Sequence, residues 1–204
     1  MRFLAVRGAD LHIGAMQRIW WLTAALLAAC ASAPRQPASA MLAGAVAGAE
    51  TRLIVSGDRI VSVVTPIDPR ALPAAVRAAC DAEAAGGRMT FCGEERGEGG
   101  RGYRVEKQLS DPYEHQRSLL VTERGEVVER RRTLPLARAP QAVLATALTK
   151  GAFVERVEIV AGPGRDEHWA VVVKDRAGET FAVEVALDGS MRRARRRTTA
   201  RVDS

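Results

Sequence analysis

Residues 53–76 read LIVSGDRIVSVVTPIDPRALPAAV, and residues 119–143, LLVTERGEVVERRRTLPLARAPQAV, repeat them. Leu53, Val55, Pro73, Ala75 and Val76 align with Leu119, Val121, Pro140, Ala142 and Val143, with a one-residue gap at the turn. A third copy of the first half stands at residues 181–197, FAVEVALDGSMRRARRR. Such self-similarity is the first thing to settle in a new chain. Each copy has the same grammar: an alternating strand, a polar turn with a glycine, and a second strand. The turns are Ser56-Gly57-Asp58, Arg124-Gly125-Glu126 and Asp188-Gly189-Ser190. Glycine supplies the positive φ that tight hairpins need.

Helices follow the first two copies. Pro73 and Pro140 sit where an opening helical turn tolerates a missing N–H. Residues 74–85 and 141–149 carry good helix formers, with Val76, Ala79 and Cys80 on one face and Val143, Ala147 and Leu148 on the other helix's face. Gly86, Gly87 and Gly151 are stop signals. Strands are predicted at 88–92 and 102–109 after the first helix and at 153–161 and 167–175 after the second. Loops are predicted between them at 93–101 and 162–166. Tyr103 and Trp169 hold matching places, aromatic then aliphatic, in the two copies.

The pieces LPAAVRAAC and APQAVLATAL, with LLVTERGEVVE and FAVEVALDGSMRR, resemble the PepSY-like family and the related fold of proteinaceous β-lactamase inhibitors. The likeness spans residues 70–197. It implies an α+β chain of two helix-plus-antiparallel-meander units, at 70–135 and 136–204, behind an extra β-hairpin at 51–69. It also implies a non-catalytic module that restrains a peptidase or binds another envelope protein. Residues 93–101 and the polar stretch 110–117 depart from the compact pattern.

The N-terminus reads as an address. Arg18 precedes an apolar run from Ile19 to Ala29, too short for the roughly 20 residues that span a bilayer. Its length suits a signal peptide, residues 1–29. Trp20 and Trp21 suit the membrane interface. Leu27-Ala28-Ala29-Cys30 resembles the lipobox of bacterial lipoproteins, which implies a diacylglycerol on Cys30 and cleavage before it. Ordinary cleavage after Ala33 and a buried alanine-rich helix are the competing readings. Met16 opens a more ordinary signal than Met1, so it is the expected translation start. Ala31, in place of the Asp that retains lipoproteins in the inner membrane, implies transfer to an outer membrane. Residues 30–50, rich in Ala, Ser, Pro and Gly, read as a tether.

Composition adds limits. The 204 residues are 47% hydrophobic but only 4% aromatic, so the core is aliphatic. A net charge of +6 favours anionic partners, and in the expected periplasmic compartment nucleic acid is a poor one. Cys80 and Cys92 form an even pair in an exported domain and read as a disulfide, against two reduced buried thiols.

No metal site or cofactor is expected. His12 leaves with the signal, His115 lies in a polar loop and His168 is an exposed strand residue. No serine stands in a G-x-S-x-G context, and residues 97–102 lack the Lys-Ser/Thr of a phosphate loop, so catalysis is not expected. Arg192, Arg193, Arg195, Arg196 and Arg197 form a basic tail. It reads either as a solvated edge or as a face for anionic lipid or cell-wall polymer in a structural envelope lipoprotein. Tyr103 and Trp169 are candidate anchors for a protein partner, or core.

Overall fold

The computed structural model describes residues 50–97 and 100–201. The expected signal peptide, the Met16 start, Cys30, His12 and the tether up to residue 49 lie outside the described residues. The first hairpin is Glu50–Ser56 (β1) and Arg59–Pro66 (β2), turning at Gly57 with φ +64°. The helix Ala74–Glu83 (α1) follows, then Arg88–Gly97 (β3), Gly100–Asp111 (β4), Glu114–Val121 (β5) and Val127–Leu134 (β6). A second helix, Gln141–Leu148 (α2), precedes Phe153–Gly162 (β7), Arg165–Lys174 (β8), Thr180–Val185 (β9) and Met191–Arg201 (β10).

These ten strands form one closed antiparallel barrel, in which every strand from β2 onward pairs with its sequence neighbour and β10 returns to β1. The expected α+β class of two helix-plus-meander units is therefore corrected: the fold is mostly β, with two short helices on a single sheet. The physical reason lies in backbone pairing that a helix-centred reading does not see. β6 bonds to β7 from Arg130↔Ala161 to Leu134↔Val157, so the sheet runs straight through the expected boundary. β1 bonds to β10 from Glu50↔Arg201 to Val55↔Arg196. Closure satisfies N–H and C=O groups that open edges would leave bare. β10 is thus no free edge or tail, since β9 and β1 flank it.

Two further expectations are corrected. Residues 93–97 extend β3, and residues 100–101 open β4, where a loop was expected. The polar stretch 110–117 is a tight turn at Pro112–Tyr113 between β4 and β5, and His115 lies exposed on β5.

Strand alternation gives the wall two different faces. On one, Leu72, Val76 and Cys80 at and before α1 pack on Cys92 of β3, Tyr103 and Val105 of β4, and Leu119 and Val121 of β5. On the same face, Val143 and Ala147 of α2 pack on Val157, Trp169, Val171, Val173, Val183 and Val185 of β7, β8 and β9. The helices lie here because each has one apolar stripe and nothing else to cover it.

The hold on α1 is also electrostatic. Buried Lys107 of β4 donates from Nζ to the carbonyls of Cys80 (3.3 Å) and Ala84 (3.2 Å) and pairs with Asp81 at 2.7 Å. Arg117 donates to the Glu83 carbonyl, and Arg130 binds the Glu83 carboxylate at 2.9 Å. Cations at a helix C-terminus meet its negative dipole end. The hold on α2 is different: Thr146 donates to the carbonyl of Gly189 at 2.7 Å.

Candidate functional site

The opposite face of the wall turns inward. A cavity of about 690 Å³ is lined from all ten strands, which makes it the barrel lumen. Charge dominates its surface. Arg52 comes from β1, Glu95 from β3, Arg104 and Glu106 from β4, Arg131 from β6, Arg156 and Glu158 from β7, and Arg195 and Arg197 from β10.

The charges are joined into a belt that runs from strand to strand. Ser62 Oγ donates to Glu95 at 3.0 Å, and Arg104 Nε donates to the same carboxylate at 2.8 Å. Arg104 Nη1 reaches Glu129 at 2.7 Å, and Arg131 Nε shares that Glu129 oxygen at 2.7 Å. Arg131 Nη1 extends to Glu158 at 3.3 Å, and Arg156 Nε lies 2.9 Å from the other Glu158 oxygen. Beside the belt, Arg52 donates to Glu106 at 2.6 Å and stacks over the Phe91 ring at 3.7 Å, while Gln116 holds the second Glu106 oxygen at 2.9 Å.

Arg104, Glu129 and Glu158 are buried, so the centre of the belt is not a set of surface pairs, while Arg131, Arg156 and Arg52 are part-exposed. Burial pushes the Glu129 carboxyl up, but Arg131 and Arg104 outweigh it and hold the group far below the usual carboxylate range. Glu158 is also held low: burial raises it, and Arg131, Arg156 and Arg197 pull it down further. Two arginines stay outside the belt. Neither the Arg195 nor the Arg197 side chain has a hydrogen bond or ion pair among the described residues, and Arg195 Nε is fully buried. Burial, with Arg156, Arg131 and Arg52 close by, brings Arg197 down to about 10.

The structure scatters the residues singled out in the sequence. Tyr103 and Trp169 are 6% and 8% exposed, packed in the two cores beneath α1 and α2. The five arginines of β10 do not share a face. Arg195 and Arg197 lie in register with Ala182 and Thr180 on the lumen side, whereas Arg196 pairs with Phe181 on the outside and bonds Glu179 at 3.1 Å. Arg192 and Arg193 are exposed at the start of the strand, with Arg192 3.7 Å from Asp166. A continuous basic face is therefore absent from this strand.

Cys80 and Cys92 are both buried under α1 as free thiols, so the expected disulfide is not formed. Burial pushes Cys80 up to about 11 and raises Cys92 as well, and the Cys92 thiol donates to the carbonyl of Ile67 at 3.2 Å. His168, expected to be exposed, is buried on β8 with Nδ1 3.1 Å from the Asp166 carbonyl. Among the described residues no cluster of His, Cys, Asp and Glu is placed to hold a metal ion.

Sequence reading missed the lumen and one exposed pair. Tyr113, 62% exposed, carries the Arg138 guanidinium over its ring at 4.7 Å. An aromatic in the Asp111-Pro112-Tyr113 turn was the available signal.

No protein family and no curated protein matches the chain in sequence. Solved structures do resemble it in part. A DUF2874 family protein from Bacteroides uniformis is 19% identical, with 61% of this chain and 88% of that one covered and a TM-score of 0.46. A protein from Bacteroides eggerthii, provisionally named periplasmic, is 17% identical over 61% of this chain and 88% of its own, with a TM-score of 0.46. A BLIP-like protein from Bacteroides fragilis is 15% identical over 65% of this chain and 89% of its own, with a TM-score of 0.42. The likeness is one of partial fold.

Proposed function

We propose that this chain is an exported protein, lipid-anchored at Cys30 on the periplasmic face of the envelope, whose barrel is a non-catalytic protein-binding or inhibitory module. The address rests on the short apolar run and Leu27-Ala28-Ala29-Cys30.

The non-catalytic half is carried by the state of the lumen acids. Arginines hold Glu129 far below the carboxylate range and lower Glu158 as well. At neutral pH such acids have no proton to give and are weak bases, the opposite of what acid–base catalysis needs. Locked charge pairs position and recognise. For the protein-binding half, Tyr113 with Arg138 on its ring supplies an exposed anchor of the two residue types that dominate interface energetics. It takes the place of Tyr103 and Trp169.

Crosslinking the full chain in intact cells tests this reading. One stoichiometric protein partner is expected, lost when Tyr113→Ser and Arg138→Ser are combined. Recovery of both forms with bulk lipid or cell-wall polymer would favour a structural lipoprotein and sink the binding module. Labelled palmitate should enter the chain and disappear in Cys30→Ala; an unlabelled wild type removes the anchor.

A further inference from the structure

The lumen's charges do not balance locally. Arg52, Arg104, Arg131 and Arg156 each meet a carboxylate, as does Arg196 on the outer side. Arg195 and Arg197 meet none within ion-pair distance among the described residues, though both line the cavity. Two residues apart on one strand, their Cα atoms stand about 6.7 Å apart, so both guanidiniums can converge on one group. Arg156 adds a buried Nε that lies near Glu158 but is too poorly aligned to bond it. None of the acids that line this side, Glu184 included, lies within ion-pair distance of Arg195 or Arg197 among the described residues. Glu158 serves Arg131 and Arg156, Glu179 serves Arg196, and Glu184 lies in register opposite Arg193.

Burying guanidiniums without partners is costly, and the usual compensation is an anion. Two unmatched cations fit a dianion, and the fork of arginine fits the oxygens of a phosphate group. A phosphate group alone fills little of a cavity of about 690 Å³, which is of the size that holds small organic ligands. Ile54, Val64, Ala170 and Ala182 offer apolar wall for the remainder of such a molecule.

We propose that the lumen is a binding site for a small phosphate-bearing molecule, its phosphate held by Arg195, Arg197 and Arg156. The site goes beyond the envelope reading and rests only on the lumen being a binding chamber, not on the lipid anchor.

Calorimetric titration of the full chain with inorganic phosphate and with glycerol 3-phosphate, at matched ionic strength in chloride, tests it. Saturable one-to-one binding is expected. Tighter binding of the ester points to an organic ligand, and equal binding to free phosphate. Arg195→Gln combined with Arg197→Gln should weaken binding by at least about tenfold, since two charge-assisted hydrogen-bonding groups are removed. Arg192→Gln, outside the lumen, should bind as the wild type does.

Without phosphate, the double variant should melt no lower than the wild type, because it removes buried cations that lack partners. A lower melting point, unchanged affinity in the double variant, or no saturable binding of either probe would overturn the site. Release of phosphate from a bound ester would retire the non-catalytic reading and leave the site standing. Absence of binding would retire the site and leave the crosslinking test of that reading untouched.

Discussion

The two faces of the barrel wall use opposite physics. The outer face beneath the helices is aliphatic, with Val105, Leu119, Val171 and Val183 almost wholly buried, and its cohesion is hydrophobic. The inner face is a belt of arginines and glutamates from Glu95 to Arg156 whose cohesion depends on each partner being present. Trimming an aliphatic side chain outside leaves a void. Removing a belt member inside leaves charges short of a partner. The same strands carry both faces, residue by residue, so the difference can be tested with single substitutions.

The largest effect is expected inside. Arg131→Ala takes one of two arginines from both Glu129 and Glu158, which keep only Arg104 and Arg156, and should cost about 4 kcal/mol in urea unfolding. A decrease under about 1 kcal/mol would put the belt in the class of solvated surface pairs and erase the contrast. Next comes the outer face: Leu119→Ala, beneath α1, should cost about 3 kcal/mol, independent of pH and salt.

The two faces should separate most clearly in acid. Glu129 is held below its unfolded value, so its stabilising share is complete above about pH 4.3 and drains as pH falls toward the folded value. The wild type should lose stability below about pH 4.3, and Glu129→Gln should flatten that limb by up to about 1.4 kcal/mol per pH unit. Parallel acid limbs in the two proteins would contradict the belt.

The smallest effects concern how the hairpin turns meet the outer helices. Gly125 (φ +87°) would set a Cβ 2.9 Å from the carbonyl oxygen of Ala75 in α1. Gly189, at the same φ, would set one 3.2 Å from the Ala142 methyl in α2. Gly125→Ala should cost about 2 kcal/mol and Gly189→Ala about 1 kcal/mol, by thermal unfolding.

The outer face was the legible one. Val76 and Cys80 at helical spacing, and Gly57, Gly125 and Gly189 in polar turns, place α1 and the hairpins where the structure has them. Helix spacing and turn chemistry are local, and a local pattern survives in the sequence. The inner face was not legible, because its logic is between strands. Glu95 looks like a loop residue until Arg104 and Ser62 stand beside it. Residues 93–97 have charges at consecutive positions, inward Glu95 tied to Arg104 and Glu94 tied to Arg96 and Arg101. With both faces polar, the period-two signal vanishes. The arginines of β10 read as one basic run for the same reason: only the pairing with β9 and β1 sends Arg195 and Arg197 inward and Arg196 outward. Closure itself joins the first described strand to the last, and no local window reports it.

That alternation on β10 offers the most direct measurement. Single cysteines would replace Arg195, Arg196 and Arg197 in a chain carrying Cys30→Ser, with Cys80 and Cys92 left buried beneath α1. Labelling of the folded protein by a bulky PEG-maleimide should be fast at position 196 and slow at 195 and 197. Equal, fast labelling at all three positions would show β10 to be an exposed basic tail, and the charged lumen would have to be given up.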